Sequence, residues 1–258
     1  MNKYALIGKS LKHSLSKLIH ESFYKEFSIA ASYDLVELEE DELEGFVKSL
    51  RLGKYQGINI TIPYKKSLIK YLDYISPEAR TIGSINTIKV ENGKLYGFNT
   101  DYDGFIYMLD AYNIRPLGKN CYILGTGGAS LAVATALNDL GAKSVSFVSR
   151  NPLNANAISY QALTNKDIQI LVNATPVGMW PNNDNPLNDI TLSKVSEVVD
   201  LIYNPQQTSL LKSLNSENNG LPMLIYQALR AEEIWQDKKY SCEEWLKKVG
   251  EELESIWK

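Results

Sequence analysis

A lysine, a carboxylate and several neutral polar side chains are spaced along the first half of the chain in a way that suits proton transfer beside a polar ligand. Within 57–65, Asn59 and Thr61 alternate with isoleucines, so both project from one face of a strand, and Lys65 follows one short turn later. Asp101 ends a second polar run. A lysine next to a carboxylate in a cleft can carry a proton, because burial lowers its pKa and the opposite charge raises it. Taken alone, the pattern is more typical of a solvated lysine and of a turn or capping acid.

A glycine-rich turn in the second half has the composition of a pyrophosphate-binding site. The buried-type strand 121–124 leads into Gly125 and Gly127, which fit the first two positions of a dinucleotide fingerprint, while Ser130 stands at the third. Glycine lets the backbone approach phosphates, and the free N–H groups of the following helix point at them. The alternative is a tight strand–helix turn that binds nothing.

The end of the next strand distinguishes between two dinucleotides. NAD sites place an acid there for the ribose 2′-hydroxyl, whereas this chain has Ser149, Arg150 and Asn151. A carboxylate would repel a 2′-phosphate, and a guanidinium can pair with it through two hydrogen bonds. The residues therefore favour NADP, with a merely solvated Arg150 as the alternative.

The elements that must position these groups are short strands alternating with helices, which is typical of βαβ units. The glycine-rich half has the order of a dinucleotide-binding α/β unit. Asn92-Gly93 between two strands predicts a hairpin, since both residues tolerate positive φ, and 182–188 is the most loop-like segment. The predicted strands are 4–7, 32–37, 56–62, 85–90, 94–98, 121–124, 144–148, 168–172 and 197–201, and the predicted helices are 15–27, 40–52, 64–71, 129–140 and further helices within 222–258.

Composition and charge exclude several classes of protein. The 258 residues are 44% hydrophobic and carry a net charge of -3, so no basic face for nucleic acid is expected. We expect no signal peptide and no membrane association, because the apolar runs are short. Cys121 and Cys242 lack metal-ligand spacing, which favours a reducing cytoplasm. His13 and His20 are the only histidines, which excludes a multi-histidine metal site.

Eight blocks in a fixed order resemble the shikimate dehydrogenase family from end to end. They contain the polar runs, the glycine-rich turn and three motifs of the last ninety residues. The blocks are 12–16 (KHSLS), 59–65 (NITIPYK), 82–87 (IGSINT), 97–101 (GFNTD), 125–130 (GTGGAS), 173–179 (NATPVGM), 200–205 (DLIYNP) and 223–228 (MLIYQA).

The resemblance implies an α/β fold with two domains. Residues 1–101 and 221–258 would form an α/β substrate-binding catalytic domain, on which the C-terminal helices pack back. Residues 102–220 would form a Rossmann-type, doubly wound NADP domain. The implied reaction is the reversible reduction of 3-dehydroshikimate to shikimate in the chorismate and aromatic amino-acid pathway, with hydride from the nicotinamide, a proton through Lys65, and no metal.

The resemblance also assigns roles residue by residue. Lys65 and Asp101 would be the catalytic pair, and Ser14, Ser16 and Tyr203 would hold the substrate carboxylate. The ring hydroxyls would be bound by Asn59, Thr61, Asn86 and Gln227. The cofactor would contact Gly125, Thr126, Gly127, Gly128, Ala129 and Ser130 with its pyrophosphate, Ser149, Arg150 and Asn151 with its 2′-phosphate, and Thr175, Val177, Ile202 and Gly220 on the nicotinamide side.

One departure from the family pattern bears on the cofactor. The segment 151–167 is shorter than the usual helix-and-strand unit, and Asn154 stands where a second arginine is common. The alternatives are an NAD-using quinate/shikimate dehydrogenase, which would show an acid near Arg150, and a non-catalytic shikimate-sensing module, which would lack Lys65 or Asp101. A methylene-folate dehydrogenase of similar architecture is not supported by the Ser14/Ser16 segment. The expected partner is a small-molecule substrate, and both a monomer and a homodimer remain open.

Overall fold

The computed structural model describes residues 1–12, 14–152, 157–188, 190–192 and 194–256. The chain divides into two compact units, one of Met1–Asp103 with Ile225–Val249 and one of Gly104–Leu224 with Gly250–Lys258. Within the described ranges, every helix is too short or too polar to cross a membrane. His13 and Asn154, which the sequence patterns involve, lie outside the described residues.

The first unit is built around a six-stranded mixed sheet. Its strand order is β2-β1-β3-β5-β6-β4, in which β1 runs parallel to β2 and β3, and β5 runs antiparallel to β3 and β6. The elements in chain order are β1 (Asn2–Gly8), α1 (Ser16–Glu26), β2 (Ala31–Glu37), α2 (Leu43–Arg51), β3 (Gly57–Ile60), β4 (Tyr74–Ile75), α3 (Pro77–Ile82), β5 (Thr87–Glu91), β6 (Lys94–Phe98) and α4 (Thr100–Ala111).

The second unit is built around a five-stranded parallel sheet of order β11-β10-β7-β8-β9. The first strand in sequence, β7, lies in the centre, so the chain winds outward in both directions, as in a Rossmann-type fold. The elements are β7 (Asn120–Leu124), α5 (Gly128–Asp139), β8 (Ser144–Val148), β9 (Ala157–Ile158), β10 (Ile168–Asn173), β11 (Val195–Asp200) and α6 (Ser209–Ser213), followed by α7 (Leu221–Gln236) and α8 (Glu243–Ile256).

The predicted hairpin is confirmed. β5 and β6 pair antiparallel with Glu91 opposite Lys94. The two turn residues between them, Asn92 and Gly93, have φ of 51° and 73°. Two successive residues with positive φ match the twist of the flanking strands, which is why an Asn-Gly pair is suited to this turn.

Helix α7 packs on the first sheet through Trp235, as predicted for the C-terminal helices. The indole lies directly over Gly57 of β3, where a Cβ atom would collide with it. Its Nε1 donates to the carbonyl of Ile88 at 3.0 Å, and its ring stacks on Tyr4 at 4.6 Å between centroids. Glycine at position 57 is thus required by a close approach between the helix and the sheet.

The predicted helix over 64–71 is wrong. The segment forms turns, followed by a short 3₁₀ helix at Ile69–Tyr71. The carbonyl of Lys65 accepts the backbone N–H of Ile85 at 2.9 Å, and the buried Tyr64 donates its hydroxyl to the carbonyl of Leu38 at 2.5 Å. In a helix the Lys65 carbonyl would accept the N–H of Ile69, which instead donates to Lys66 at 3.2 Å, so the i to i−4 ladder is interrupted there.

Candidate active site

Lys65 and Asp101 form an ion pair in the first unit. The Lys65 Nζ lies 2.6 Å from Asp101 Oδ2, and the two side chains are 22% and 14% exposed. Lys65 is placed by the turn after β3, and Asp101 lies in the first turn of α4. Such a pair is sheltered enough to interact strongly and open enough to reach a ligand. The structure therefore brings together the two residues predicted to be catalytic.

The start of α4 fixes the direction of the carboxylate. Asn99 accepts the backbone N–H of Asp101 at 3.2 Å with its Oδ1, as an N-cap residue does. Asn86 donates from Nδ2 to Asp101 Oδ1 at 2.9 Å. Its own Oδ1 accepts the backbone N–H of Thr100 at 2.7 Å. One carboxylate oxygen is thus held by Asn86, and the other faces Lys65.

The side-chain amide of Asn59 belongs to the same hydrogen-bond network as Asn86. Asn59 is 6% exposed; its Oδ1 accepts the hydroxyl of Tyr33 at 2.7 Å, and its Nδ2 donates to Thr87 Oγ1 at 3.0 Å. Gln227 of α7 reaches the same group of residues, since Thr100 Oγ1 donates to its Oε1 at 3.5 Å. Asn59, Asn86 and Gln227, predicted to bind ring hydroxyls, are therefore connected through threonine side chains.

The serines predicted to bind a carboxylate lie at the start of α1, with Ser14 two residues before the helix and Ser16 its first residue. Ser14 accepts the backbone N–H of Ser16 at 3.2 Å with its Oγ, and both residues are half-buried. The start of the loop from β1 to α1 is held against the turn after β3, because Lys9 donates to the carbonyl of Ile62 at 3.4 Å. A Cβ at Gly8 would lie 2.6 Å from the Thr61 methyl group. Ser14, Ser16 and Thr61 are thus carried by adjoining segments that follow two paired strands.

The second unit contains a cavity of 760 Å³ at the carboxyl ends of its parallel strands. This is where nucleotides bind in open α/β sheets. Seven of the residues predicted to bind cofactor line it: Gly125, Thr126, Gly127, Ser149, Arg150, Thr175 and Val177. The 184–188 part of the predicted loop lines it as well, and so do Tyr160 and Gln161, for which no sequence motif indicated a role.

The remaining predicted cofactor residues do not line this cavity. Gly128, Ala129 and Ser130 lie in the first turn of α5, and Asn151 follows β8. Ile202 and Gly220 lie together, with the Gly220 N–H donating to the Ile202 carbonyl at 3.0 Å. Tyr203, predicted to bind substrate, is a half-buried residue of the second unit, and burial raises its pKa.

The glycine-rich turn fits a pyrophosphate group. Gly125 has φ of +100°, and a Cβ there would lie 2.9 Å from the Thr175 methyl group. A Cβ on Gly127 or Gly128 would instead meet open space. Gly127 caps α5 without a side-chain hydrogen bond, and Ser130 Oγ is buried without a hydrogen-bond partner among the described residues. Free N–H groups and an open surface at a helix start are what a phosphate requires.

Arg150 lies exposed at the edge of the cavity, directly after β8. Within the described ranges its guanidinium forms no hydrogen bond or ion pair. It lies close enough to Tyr160 to lower the pKa of that phenol, against a larger increase from burial. An exposed arginine that has no acidic partner among the described residues is available to an anionic ligand.

Comparisons with known proteins give relatives that match this chain over most of its length. A curated relative from Clostridium beijerinckii, named shikimate dehydrogenase (NADP(+)), is 41% identical over 250 residues, which cover 92% of this chain and 93% of the relative. Residues 6–88 match the family described as shikimate dehydrogenase substrate binding domain. The chain belongs to the shikimate dehydrogenase family.

Solved shikimate dehydrogenase structures share the fold over nearly the whole chain. A chorismate mutase/shikimate 5-dehydrogenase fusion protein from Clostridium acetobutylicum superposes with a TM-score of 0.93 at 37% identity, covering 100% of this chain and 98% of that one. The Thermus thermophilus enzyme, solved with NADP(H) and shikimate, has a TM-score of 0.87 at 31% identity, covering 98% and 99%. The family resemblance and the predicted fold class, with two domains and a Rossmann-type second half, are confirmed.

A buried carboxylate that the sequence analysis did not select holds two loops that are predicted to contact the cofactor in this member of the shikimate dehydrogenase family. Asp200 ends β11 and is fully buried. Its Oδ1 accepts the backbone N–H of Ile202 and the Nδ2 of Asn173, both at 3.0 Å. Asn173 Oδ1 in turn accepts the hydroxyl of Thr175 at 2.7 Å. Asp200 therefore fixes both segments predicted to face the nicotinamide, and only its place in a matching block could have pointed to it.

Replacing Asp200 by asparagine is expected to remove a pH dependence of stability. Burial raises the pKa of Asp200 to about 6, from an ordinary 3.8. The native state then binds more protons than the unfolded state between those values, so the wild type loses stability relative to Asp200→Asn as pH rises from about 4 through 6. The relative loss should reach roughly 2–3 kcal/mol and stay constant above that range. Urea unfolding of both proteins between pH 4 and 8 measures it, and a pH-independent difference would contradict the expectation.

Proposed function

We propose that this chain is an NADP-dependent shikimate dehydrogenase, which reduces the ring ketone of 3-dehydroshikimate to shikimate in aromatic amino-acid biosynthesis. The observation that carries the proposal is the Lys65–Asp101 pair at 2.6 Å, held by Asn86 in a chain of this family. Its support is the name shared by the curated relatives and the Thermus thermophilus structure solved with NADP(H) and shikimate. The first unit would bind the substrate and the second the cofactor.

The proposed division of labour follows from the chemistry of each group. The nicotinamide supplies or accepts hydride, and the protein orients the reactants. In reduction, Lys65 Nζ donates a proton to the ring oxygen as negative charge develops there. Asp101 holds the lysine in place and balances its charge. In the reverse direction Lys65 takes the proton from the hydroxyl, so one residue serves as acid and base.

The remaining polar residues of the first unit would select the substrate. The hydroxyls of Ser14 and Ser16, assisted by Tyr203, would donate to its carboxylate, because hydrogen bonds to a charged acceptor are stronger than neutral ones. Thr61, Asn86 and Gln227 would contact the ring hydroxyls, with Asn59 beside them. A site built around hydrogen-bonding groups rejects analogues that lack a partner, since its own polar atoms are then left unpaired.

The second unit would hold NADP through three kinds of contact. The turn from Gly125 to Ser130 would receive the pyrophosphate, and Ser149, Arg150 and Asn151 the 2′-phosphate. Thr175, Val177, Ile202 and Gly220 would lie on the nicotinamide side, on the loops that Asp200 holds. The two free cysteines are consistent with a cytoplasmic enzyme. Both a monomer and a homodimer are compatible with the proposal.

A steady-state comparison of four reactant pairs tests the function. Shikimate and quinate are each oxidised with NADP and with NAD, and formation of the reduced nicotinamide is followed by its absorbance. We expect the highest kcat/KM for shikimate with NADP. A purified protein that binds shikimate but reduces neither coenzyme would instead be a sensing module. A preference for quinate with NAD would identify the other enzyme of the family.

A further inference from the structure

The buried phenol of Tyr33 is the first link of a hydrogen-bond chain under the Lys65–Asp101 pair. Tyr33 lies on β2 and is fully buried. Its ring stacks on that of His20, with centroids 4.1 Å apart and planes 8° from parallel. His20 is itself fixed by Glu232 of α7, with 2.6 Å between Nδ1 and Oε1. These contacts fix the Tyr33 ring and therefore the position of its hydroxyl.

The direction of the first hydrogen bond follows from the partners of Asn59. Burial, helped by the nearby Glu232 carboxylate, raises the pKa of Tyr33 well above its usual range, so the phenol keeps its proton. It donates to Asn59 Oδ1 at 2.7 Å. The Nδ2 on the other side of the amide faces the carbonyl oxygen of Asn86 at 3.4 Å. A reversed amide would set two oxygens against each other, so only one orientation satisfies both neighbours.

The directions of the remaining hydrogen bonds, from Thr87 to the Asp101 carboxylate, follow in the same way. Thr87 Oγ1 accepts from Asn59 at 3.0 Å and therefore donates its own proton to Asn86 Oδ1, also at 3.0 Å. That leaves Asn86 Nδ2 to donate to Asp101 Oδ1 at 2.9 Å. The first three links are buried and the last is partly buried, and each donor determines the role of the next group. The chain ends on the carboxylate oxygen opposite the one that faces Lys65.

We propose that Tyr33 is a positioning residue for the Lys65–Asp101 pair, acting through the chain of Asn59, Thr87 and Asn86 to hold the carboxylate oriented toward the lysine. This inference rests on the proposed function, because it assigns the proton transfer to that pair. Tyr33 touches neither member of the pair, so its effect passes through the intervening amides and the threonine hydroxyl. Losing the phenolic hydroxyl leaves a buried amide oxygen without its donor, so the Asn59 amide is then held only through its Nδ2.

The test is Tyr33→Phe, which keeps the stacked ring and removes only the hydroxyl. We expect kcat to fall roughly three- to tenfold, as for the loss of one buried hydrogen bond. KM for shikimate is not the diagnostic quantity, because the Tyr33 hydroxyl also lies close to the side chain of Ser16. The solvent deuterium isotope effect on kcat should rise, because proton transfer becomes slower relative to the other steps. Tyr55→Phe is the matched control, since the buried Tyr55 donates to Asp34 at 3.0 Å and lies outside the chain.

A double-mutant cycle separates positioning from a general loss of stability. Thr87→Val breaks the chain at its middle link, so adding Tyr33→Phe to it should cost no further activity. Additive losses, or a Tyr33→Phe enzyme equal to Tyr55→Phe in kcat and isotope effect, would overturn the inference and leave the function standing. Wild-type protein that oxidises shikimate with neither coenzyme would overturn the proposed function itself, and the inference with it.

Discussion

Replacing Lys65 by alanine is expected to lower kcat by about 100-fold or more, the usual contribution of a general acid–base residue. The Lys65 Nζ is the one cationic group paired with Asp101 among the described residues, at 2.6 Å. The variant lacks the proton donor for the ring oxygen, but Ser14 and Ser16, which would bind the substrate carboxylate, are unchanged. KM for shikimate should therefore change much less than kcat. Steady-state kinetics in both directions, with circular dichroism to verify folding, measures the effect.

Two companion variants make the Lys65 result specific. Lys66→Ala is the matched control, because Lys66 is the exposed neighbour in the same turn, and its activity should stay close to wild type. Lys65→Arg keeps a positive charge beside Asp101, but a guanidinium does not release its proton at neutral pH. We expect it to be nearly as slow as the alanine variant. A folded Lys65→Ala protein with wild-type turnover would refute the assignment of Lys65.

Replacing Arg150 by alanine is expected to weaken NADP binding by about 1.5–3 kcal/mol, the worth of a hydrogen bond to a charged group. This corresponds to a roughly 10- to 150-fold higher Kd. NAD carries no 2′-phosphate, so its kinetics should barely change. The preference of the wild type for NADP should also shrink as salt rises, because Arg150 is exposed and exposed charges are screened. Coenzyme titrations at low and high ionic strength, on wild type and variant, measure both effects.

Arg115→Ala is the matched control for Arg150. Arg115 is an exposed arginine of the same unit that pairs with Asp110 at 2.9 Å and does not line the cavity. Its replacement should leave both coenzymes unaffected. Equal losses for NADP and NAD in Arg150→Ala would mean that this residue shapes the loop and does not bind the phosphate. An unchanged NADP preference in Arg150→Ala would mean that other residues of the cavity select the coenzyme.

Local signals in the sequence were sufficient for much of the architecture. The Asn92-Gly93 hairpin and the turn from β7 to α5 depend on backbone conformations that glycine and asparagine adopt readily, so they can be read from neighbouring residues. The alternation around Asn59 and Thr61 likewise predicted a strand with polar side chains. The order of eight short blocks identified the family, because their combination is far more specific than any single motif.

Long-range contacts decided the features that the sequence left open. Position 65 lies in a turn and not a helix, because its carbonyl is bonded to Ile85, twenty residues along the chain. In the sequence Tyr33 is indistinguishable from any other strand residue. It reaches Asn59 only because β2 pairs with β1 and His20 stacks on the Tyr33 ring.

Asp200 shows the same limit for a charged residue. At the end of a predicted strand it could equally be a solvated acid, and its burial depends on Asn173 and Thr208, which are near it only in the folded second unit. Residue types and local spacing thus determined the family and the chemical groups at the site. The tertiary structure decided which buried polar groups hold them, because hydrogen bonds between distant segments leave no periodic trace in the sequence.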